Sequence, residues 1–329
     1  MPAKITSPAN LLEMVNAYRK SRIILTAHEL NIFTILDNSS MSSAALSEKA
    51  GTDPRATDRL MNALVAIGLL EKYNSLFTNT SFTSKFLVKT QSSFLGGLSH
   101  QVQLWKTWST LTEAVKQGSS VTIKESIGER DEDWLKSFLA AMHSRSQQAK
   151  EVADLLDLSG IKQMLDVGGG SGAFSYAFLR INNDIVSTIF DLPSVVPITQ
   201  NYIEKEGFSK TVKTLGGDYL KDEFGGKYDL VLVSAVVHIN SQEENQLLVN
   251  KCSKALNSGG QLVIMDHIMS EDRTEPEIGA IFALNMLVGT EKGDTYTESE
   301  IRSWMTNAGL KNIHVKNTQQ ETYLMIGTK

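Results

Sequence analysis

A single cysteine, Cys252, stands in 329 residues, so no internal disulfide can form and the chain suits a reducing compartment. It lies in an amphipathic helical stretch from Glu244 to Leu256, which makes a buried small apolar side chain its expected role, not a reactive thiol. Basic charge is also scarce. Lys and Arg number 32 against 37 Asp and Glu, a net charge of −5, which argues against a general binder of nucleic acid or anionic membranes. No apolar run approaches the ~20 residues of a membrane-spanning helix. The opening MPAKITSPANLLEM has no apolar segment of the signal-peptide kind, so a soluble, cytoplasmic protein is expected. The six histidines do not cluster with acids or with Cys252 at ligand spacing, and no metal is expected. Apolar residues are plentiful at 41%, enough at this length to fill two cores.

The order of patterns divides the chain into three parts. Residues 1–95 read as helices with one small hairpin. Leu11 to Leu36 carries apolar residues at helical spacing, interrupted near Glu29-Leu30-Asn31. Ser42 to Leu46 opens a short helix ending near Gly51, and Thr52-Asp53-Pro54 caps the next, with proline in its first turn. Two short runs around Asn74-Ser75 suit a hairpin, and helices plus such a wing make a winged-helix module. On its recognition-type helix Arg55 and Arg59 are offset by Asp53 and Asp58, so DNA binding is not expected. The apolar excess in Leu11 to Leu36 points instead to a helix-helix interface and a homodimer. Residues 96–160 read as a helical linker that contributes to a pocket. From 161 to 329 strands and helices alternate: strands at 163–167, 186–191, 211–215, 229–234 and 261–266, helices at 172–180, 194–206, 242–256 and 298–308. The expected fold is α/β, a Rossmann-like and mostly parallel sheet whose last strand, after a polar turn, is antiparallel.

The run Met164-Leu165-Asp166-Val167-Gly168-Gly169-Gly170-Ser171-Gly172 opens that third part. A buried strand followed by a glycine turn lets a ligand lie against bare backbone. Gly168-x-Gly170-x-x-Ala173 also fits the dinucleotide fingerprint, so the glycines alone leave two ligands open. Asp166 separates them. A pyrophosphate beside it would be repelled, whereas S-adenosylmethionine carries a sulfonium, an ammonium and no phosphate, and is favoured. A purely structural turn is the remaining alternative.

Taken together, the spaced motifs closely resemble those of the class I, S-adenosylmethionine-dependent O-methyltransferases of the plant and hydroxyindole type, with their bacterial members. The likeness rests on Ala27-His28-Glu29-Leu30-Asn31-Ile32-Phe33, Gly51-Thr52-Asp53-Pro54, Leu64 to Leu70, the glycine run, Phe190-Asp191-Leu192-Pro193, Gly216-Gly217-Asp218, and His238 followed by Asp266. It spans nearly the whole chain. It implies a winged-helix dimerisation domain that helps wall the partner's pocket, and a cofactor site built on Asp166, Gly168, Gly170, Asp191, Leu192, Asp218, Tyr219 and Ser234. Asp191, at the end of the next strand, is suited to the ribose hydroxyls. Asp218 resembles the acid that takes the adenine amino group, with Tyr219 alongside.

The resemblance makes His238 the general base that removes a hydroxyl proton, with Asp266 orienting its ring. Trp105, Trp108, Met142, His143, Phe282, Asn285 and Met286 are the candidate lining of an acceptor pocket, since methionines and aromatics suit a flat apolar ring. Four positions depart from the family pattern. Ile239 and Asn240 replace an acid and a tryptophan, Ser234 stands where a lysine is common, and Thr295 aligns with a second acid that the adjacent Asp294 could supply. The implied reaction is in-line transfer to a hydroxyl of a small aromatic or hydrophobic metabolite, giving S-adenosylhomocysteine. Transfer to sulfur, nitrogen or carbon on the same scaffold is the nearest alternative. An NAD(P)-dependent oxidoreductase or a DNA-binding regulator stands further off.

Overall fold

The computed structural model describes residues 5–122, 131–143, 146–319 and 322–329. They fall into two compact units, Met1–Gln103 and Leu104–Lys329. The first holds α1 (Pro8–Asn16), α2 (Tyr18–Glu29), α3 (Ile32–Ile35), α4 (Ser43–Ala50) and α5 (Pro54–Ala66). The antiparallel hairpin β1 (Leu70–Tyr73) and β2 (Leu76–Asn79) follows, then α6 (Ser81–Phe86). The Asp53 carboxylate caps α5 by accepting from Ala56 N–H at 2.8 Å, with Pro54 just inside the helix. The expected break at Asn31 is present, at φ 58°, and a second break at Ala17 adds to it. Ile32, Phe33, Leu46, Met61, Leu64 and Phe77 form this unit's core. Helix α1 buries none of its residues, and Leu11, Leu12, Met14 and Val15 stand exposed.

Helix α7 (Leu98–Trp108) carries the chain across the boundary between units. The second unit continues with α8 (Leu111–Gln117), α9 (Glu132–His143) and α10 (Ser146–Leu155). Next come β3 (Gln163–Val167), α11 (Ala173–Ile181), β4 (Val186–Asp191), α12 (Val196–Glu206), β5 (Val212–Gly216) and β6 (Tyr228–Ser234). They are followed by α13 (Gln242–Ala255), β7 (Leu256–Asp266), β8 (Ile268–Met269), α14 (Glu277–Gly289), β9 (Tyr296–Thr297) and α15 (Glu298–Asn307). Strands β10 (Lys311–Asn317) and β11 (Tyr323–Thr328) end the chain.

Residues 96–160 therefore form no unit of their own. Those through Gln103 fall in the first unit and the rest in the second, apart from 123–130 and 144–145, which lie outside the described residues. The reason is burial. Ala149, Val152 and Ala153 of α10 share a core with Tyr176 and Phe178 of α11, and Leu135 and Leu139 of α9 pack on Val195 and Ile198.

Seven strands make one sheet in the order β10-β11-β7-β6-β3-β4-β5. Strands β7, β6, β3, β4 and β5 run parallel, and β11 lies antiparallel to both β7 and β10. Along β6, Val231 and Val233 enter one core while Leu230 and Leu232 enter the other. Both faces are covered, which is why the parallel strands read as unbroken apolar runs. Cys252 is fully buried in the first of these cores. The chain order reverses around β3, between β4 and β6. In open parallel sheets ligands bind at such a switch point, beyond the carboxyl ends of the strands.

Candidate active site

The carboxyl edge begins with the glycine turn after β3. Asp166 is buried at 1% exposure beneath it; Oδ2 accepts from Ser175 Oγ at 2.7 Å, and Oδ1 has no hydrogen-bond partner. A Cβ on Gly169 would lie 2.7 Å from the Asp166 carboxyl carbon, so the turn settles on the carboxylate only because the glycine has none. Gly168 and Gly170 take positive φ, 65° and 54°. Asp191 ends β4 and grips the same turn. Its Oδ2 accepts from Gly170 N–H at 2.8 Å and its Oδ1 from Leu192 N–H at 2.7 Å. Each oxygen keeps a lone pair for a further donor. Burial pushes both carboxyls up to about 6, Asp166 further aided by the nearby Asp191 charge, with Ser175 and the backbone N–H groups pulling the other way.

β5 runs beside β4 with Gly216 opposite Asp191, and Gly217 packs on Phe190 with no room for a Cβ, which would sit 2.6 Å from the ring. Asp218 therefore comes to the same edge. Its carboxylate accepts from Leu220 N–H at 2.9 Å and pairs with Lys221 at 2.9 Å. Burial alone would push it up, but these bonds hold it below its ordinary value. Tyr219 donates its hydroxyl to Asn240 Oδ1 at 2.8 Å. Ser234 ends β6, paired with Met265.

A buried, unpartnered carboxylate oxygen beneath a glycine turn and a second acid with spare acceptor capacity fit a ligand that carries positive charge and vicinal hydroxyls. They would oppose a pyrophosphate.

Beyond β6 the chain makes a sharp turn at Ala235, whose φ of 55° is unusual for a residue with a Cβ. Residues Val237–Ile239 then form one 3-10 turn that carries His238. The two oxygens of Asp266, at the end of β7, each lie 2.9 Å from His238 Nδ1. A carboxylate only accepts, so Nδ1 is the donor to Asp266, and a neutral ring held this way has its lone pair at Nε2. Asp266 is 3% exposed, and the ring meets Phe282 of α14 edge-on at 4.8 Å. Phe282 also touches His267. Further along α14, Asn285 accepts from Trp108 Nε1 at 2.8 Å, and Met286 is buried. Trp105 and Met142 are half-buried on α7 and α9.

His143 takes a place that its spacing in the sequence does not suggest. Its Nδ1 lies 3.1 Å from Ser171 Oγ in the glycine turn, and its ring packs on Tyr202 of α12, 4.6 Å between centroids. Burial holds its pKa down against the pull of Glu206. It is a neighbour of the turn, whereas Phe282 is the neighbour of His238. Asp294 does not set a second carboxylate on His238 either. Its side chain faces Arg273 at 3.4 Å, while its backbone N–H donates to His238 O at 3.0 Å. Asn240 is 3% exposed and joins Tyr219 to Asn245 through its side-chain amide.

Residues 108–311 match the O-methyltransferase domain, and residues 12–89 match the O-methyltransferase dimerisation domain. The chain belongs to the O-methyltransferase family. It is 26% identical to the tetracenomycin polyketide synthesis 8-O-methyl transferase TcmO of Streptomyces glaucescens, across 99% of this chain and 98% of that protein. It is 27% identical to the acetylserotonin O-methyltransferase of Gallus gallus, across 98% and 97%. The solved structure of PigF with SAH shares the fold, with a TM-score of 0.90 at 21% identity over 98% of this chain and 100% of that one.

As an O-methyltransferase, the chain uses S-adenosylmethionine, and its first unit is a dimerisation domain. Two residues that brace the candidate site of this O-methyltransferase carry no signal in the sequence. Thr199, fully buried on α12, donates to Gly170 O at 2.7 Å, and Tyr296 donates to Asn240 O. Both are unmarked threonine and tyrosine positions until the fold brings distant backbone carbonyls to them. No helix among the described residues is long and apolar enough to cross a membrane.

Proposed function

We propose that this O-methyltransferase methylates a hydroxyl of a small aromatic or hydrophobic metabolite, with His238 as general base and Asp266 as its orienting acid. The observation that carries the reading is the Asp266 grip on His238 Nδ1 at 2.9 Å beside the Phe282 ring. It leaves the Nε2 lone pair to take a proton, on a ring packed edge-on against Phe282. S-adenosylmethionine, when bound, supplies a methyl group already made electrophilic by the sulfonium. Asp191 would hold the ribose hydroxyls, Asp218 and Tyr219 the adenine side, and Gly168 and Gly170 the bare backbone beneath. Asp166, buried under the turn, contributes charge without contact. His238 takes the acceptor's proton as the oxygen attacks, and Asp266 stabilises the imidazolium so formed. Holding the acceptor in near-attack geometry supplies up to about 7–11 kcal/mol, and base assistance adds roughly 10²–10⁴-fold.

The assembly is a homodimer through the first unit, supported by the dimerisation-domain match and the exposed apolar residues of α1. Nucleic acid is no partner, a reading supported by the net charge of −5. A cytoplasmic location is supported by the one buried, unpaired cysteine.

Methyl-labelled S-adenosylmethionine, incubated with the protein and a panel of phenols, naphthols and hydroxyindoles plus their amino and thiol analogues, tests the acceptor class. Mass spectrometry should place the label on a ring hydroxyl. Label on the amine or thiol analogues alone would overturn the reading.

A further inference from the structure

The turn that carries His238 is tied down at three carbonyls by groups outside the His238–Asp266 pair. Asn245 Nδ2 donates to Val237 O at 2.8 Å, Asp294 N–H to His238 O at 3.0 Å, and Tyr296 Oη to Asn240 O at 2.5 Å. Asn245 and Tyr296 are buried, at 0% and 3% exposure. Gly293 presses on the same turn so closely that a Cβ there would lie 2.4 Å from His238 O and 3.2 Å from Ile239 O. The segment doing this is itself anchored. Arg273 donates to Thr295 O at 2.6 Å, faces Asp294 at 3.4 Å and pairs with Glu300 at 2.6 Å. Strand β9 pairs with β8, Ile268 opposite Tyr296, so the chain just beyond Asp266 and the segment holding the histidine's turn share one small sheet.

We propose that Tyr296, Asn245 and the Arg273-anchored segment 293–296 are positioning residues for His238. They fix the turn relative to Asp266, so that Nδ1 keeps its partner and Nε2 keeps its direction. Asp294 thus serves the base through its backbone, with its carboxylate engaged by Arg273. The proposal rests on the reading of His238 as base. A base displaced by about 1 Å can lose 10²-fold in rate, whereas a shift confined to the histidine's turn should leave the binding of both ligands nearly intact. The signature is a fall in kcat with KM preserved.

Three variants of the full-length protein test it with a phenolic acceptor and S-adenosylmethionine. Tyr296→Phe removes one hydrogen bond and keeps the ring on Trp304, 4.9 Å away. Arg273→Gln releases the anchor at an exposed position, and Arg273→Lys restores the charge. Each of the first two should lower kcat about tenfold while both KM values stay within about twofold, and Arg273→Lys should recover part of the loss. In imidazole-labelled protein, the His238 Nδ1–H resonance should broaden in the same variants. Unchanged kcat in Tyr296→Phe and Arg273→Gln, or a parallel loss of S-adenosylhomocysteine affinity, would overturn the positioning role, provided that His238→Gln is inactive. Wild-type turnover by His238→Gln would instead remove the base, and the proposal with it.

Discussion

Asp166 and Asp191, near the ends of β3 and β4, flank one glycine turn, each pushed up to about 6 mainly by burial. Such a group binds its proton more tightly in the folded chain than in the unfolded one, where it titrates near 3.8. From about pH 4 to pH 6 the folded state therefore holds more protons, and these two groups make stability fall as pH rises. A bound cation reverses the preference by favouring the ionised forms. S-adenosylmethionine should thus bind about tenfold more tightly near pH 7.5 than near pH 5.5, as both carboxyls lose their protons. S-adenosylhomocysteine, without the sulfonium, should show a weaker dependence. Calorimetry at the two pH values measures both, and equal affinities for S-adenosylmethionine would refute the charge argument.

At the scale of single elements, the glycines after β3 and the glycine after α12 invite a direct comparison. Gly169 has ordinary φ but no space, because a Cβ would sit 2.7 Å from Asp166. Gly207 has space, with nothing within 4 Å, but a φ of 80°. Alanine at Gly169 costs about 1–3 kcal/mol through overpacking, and at Gly207 about 1–2 kcal/mol through left-handed backbone strain. Both variants should melt several degrees below wild type. Only Gly169→Ala should lose S-adenosylhomocysteine affinity, since only there does the turn proposed for the cofactor move. Retained affinity in Gly169→Ala would show that the close approach is not needed for binding.

The same scale explains what was legible in the sequence. Strands β3 and β4 fall where alternation and apolar runs placed them, at 163–167 and 186–191, because both faces of the sheet are buried. Helices α13 and α15 start at 242 and 298, where the helical pattern placed them, and the fold closes each with a reciprocal capping box, Ser241 with Glu244 and Thr297 with Glu300. Local rules could not reach contacts between distant segments. His143 meets Ser171 across 28 residues, Tyr296 meets Asn240 across 56, and Asp294 turns to an arginine 21 residues earlier. Asn240, read in the sequence only as a lost tryptophan, gains its meaning from Tyr219 and Asn245, which bracket it in the fold.

For the whole molecule, a sequence boundary and a physical boundary part company. The helical stretch at 96–160 looked separate because it lacks the strand-helix alternation that begins at 161. Helices α9 and α10 nevertheless bury their apolar faces in the second unit, and α7 runs through the true boundary with no change of composition to mark it. The dimerisation unit presents its apolar α1 outward, and the second unit gathers the acids, the glycine turn and His238 at one sheet edge. The chemistry assigned to that edge depends on one imidazole. The most direct test is turnover of a phenolic acceptor by His238→Gln at saturating S-adenosylmethionine, set beside the Kd for S-adenosylhomocysteine. A general base at His238 predicts a kcat reduced by roughly 10²–10⁴-fold with the Kd essentially unchanged. Turnover close to wild type, or a Kd weakened in step with kcat, would contradict it.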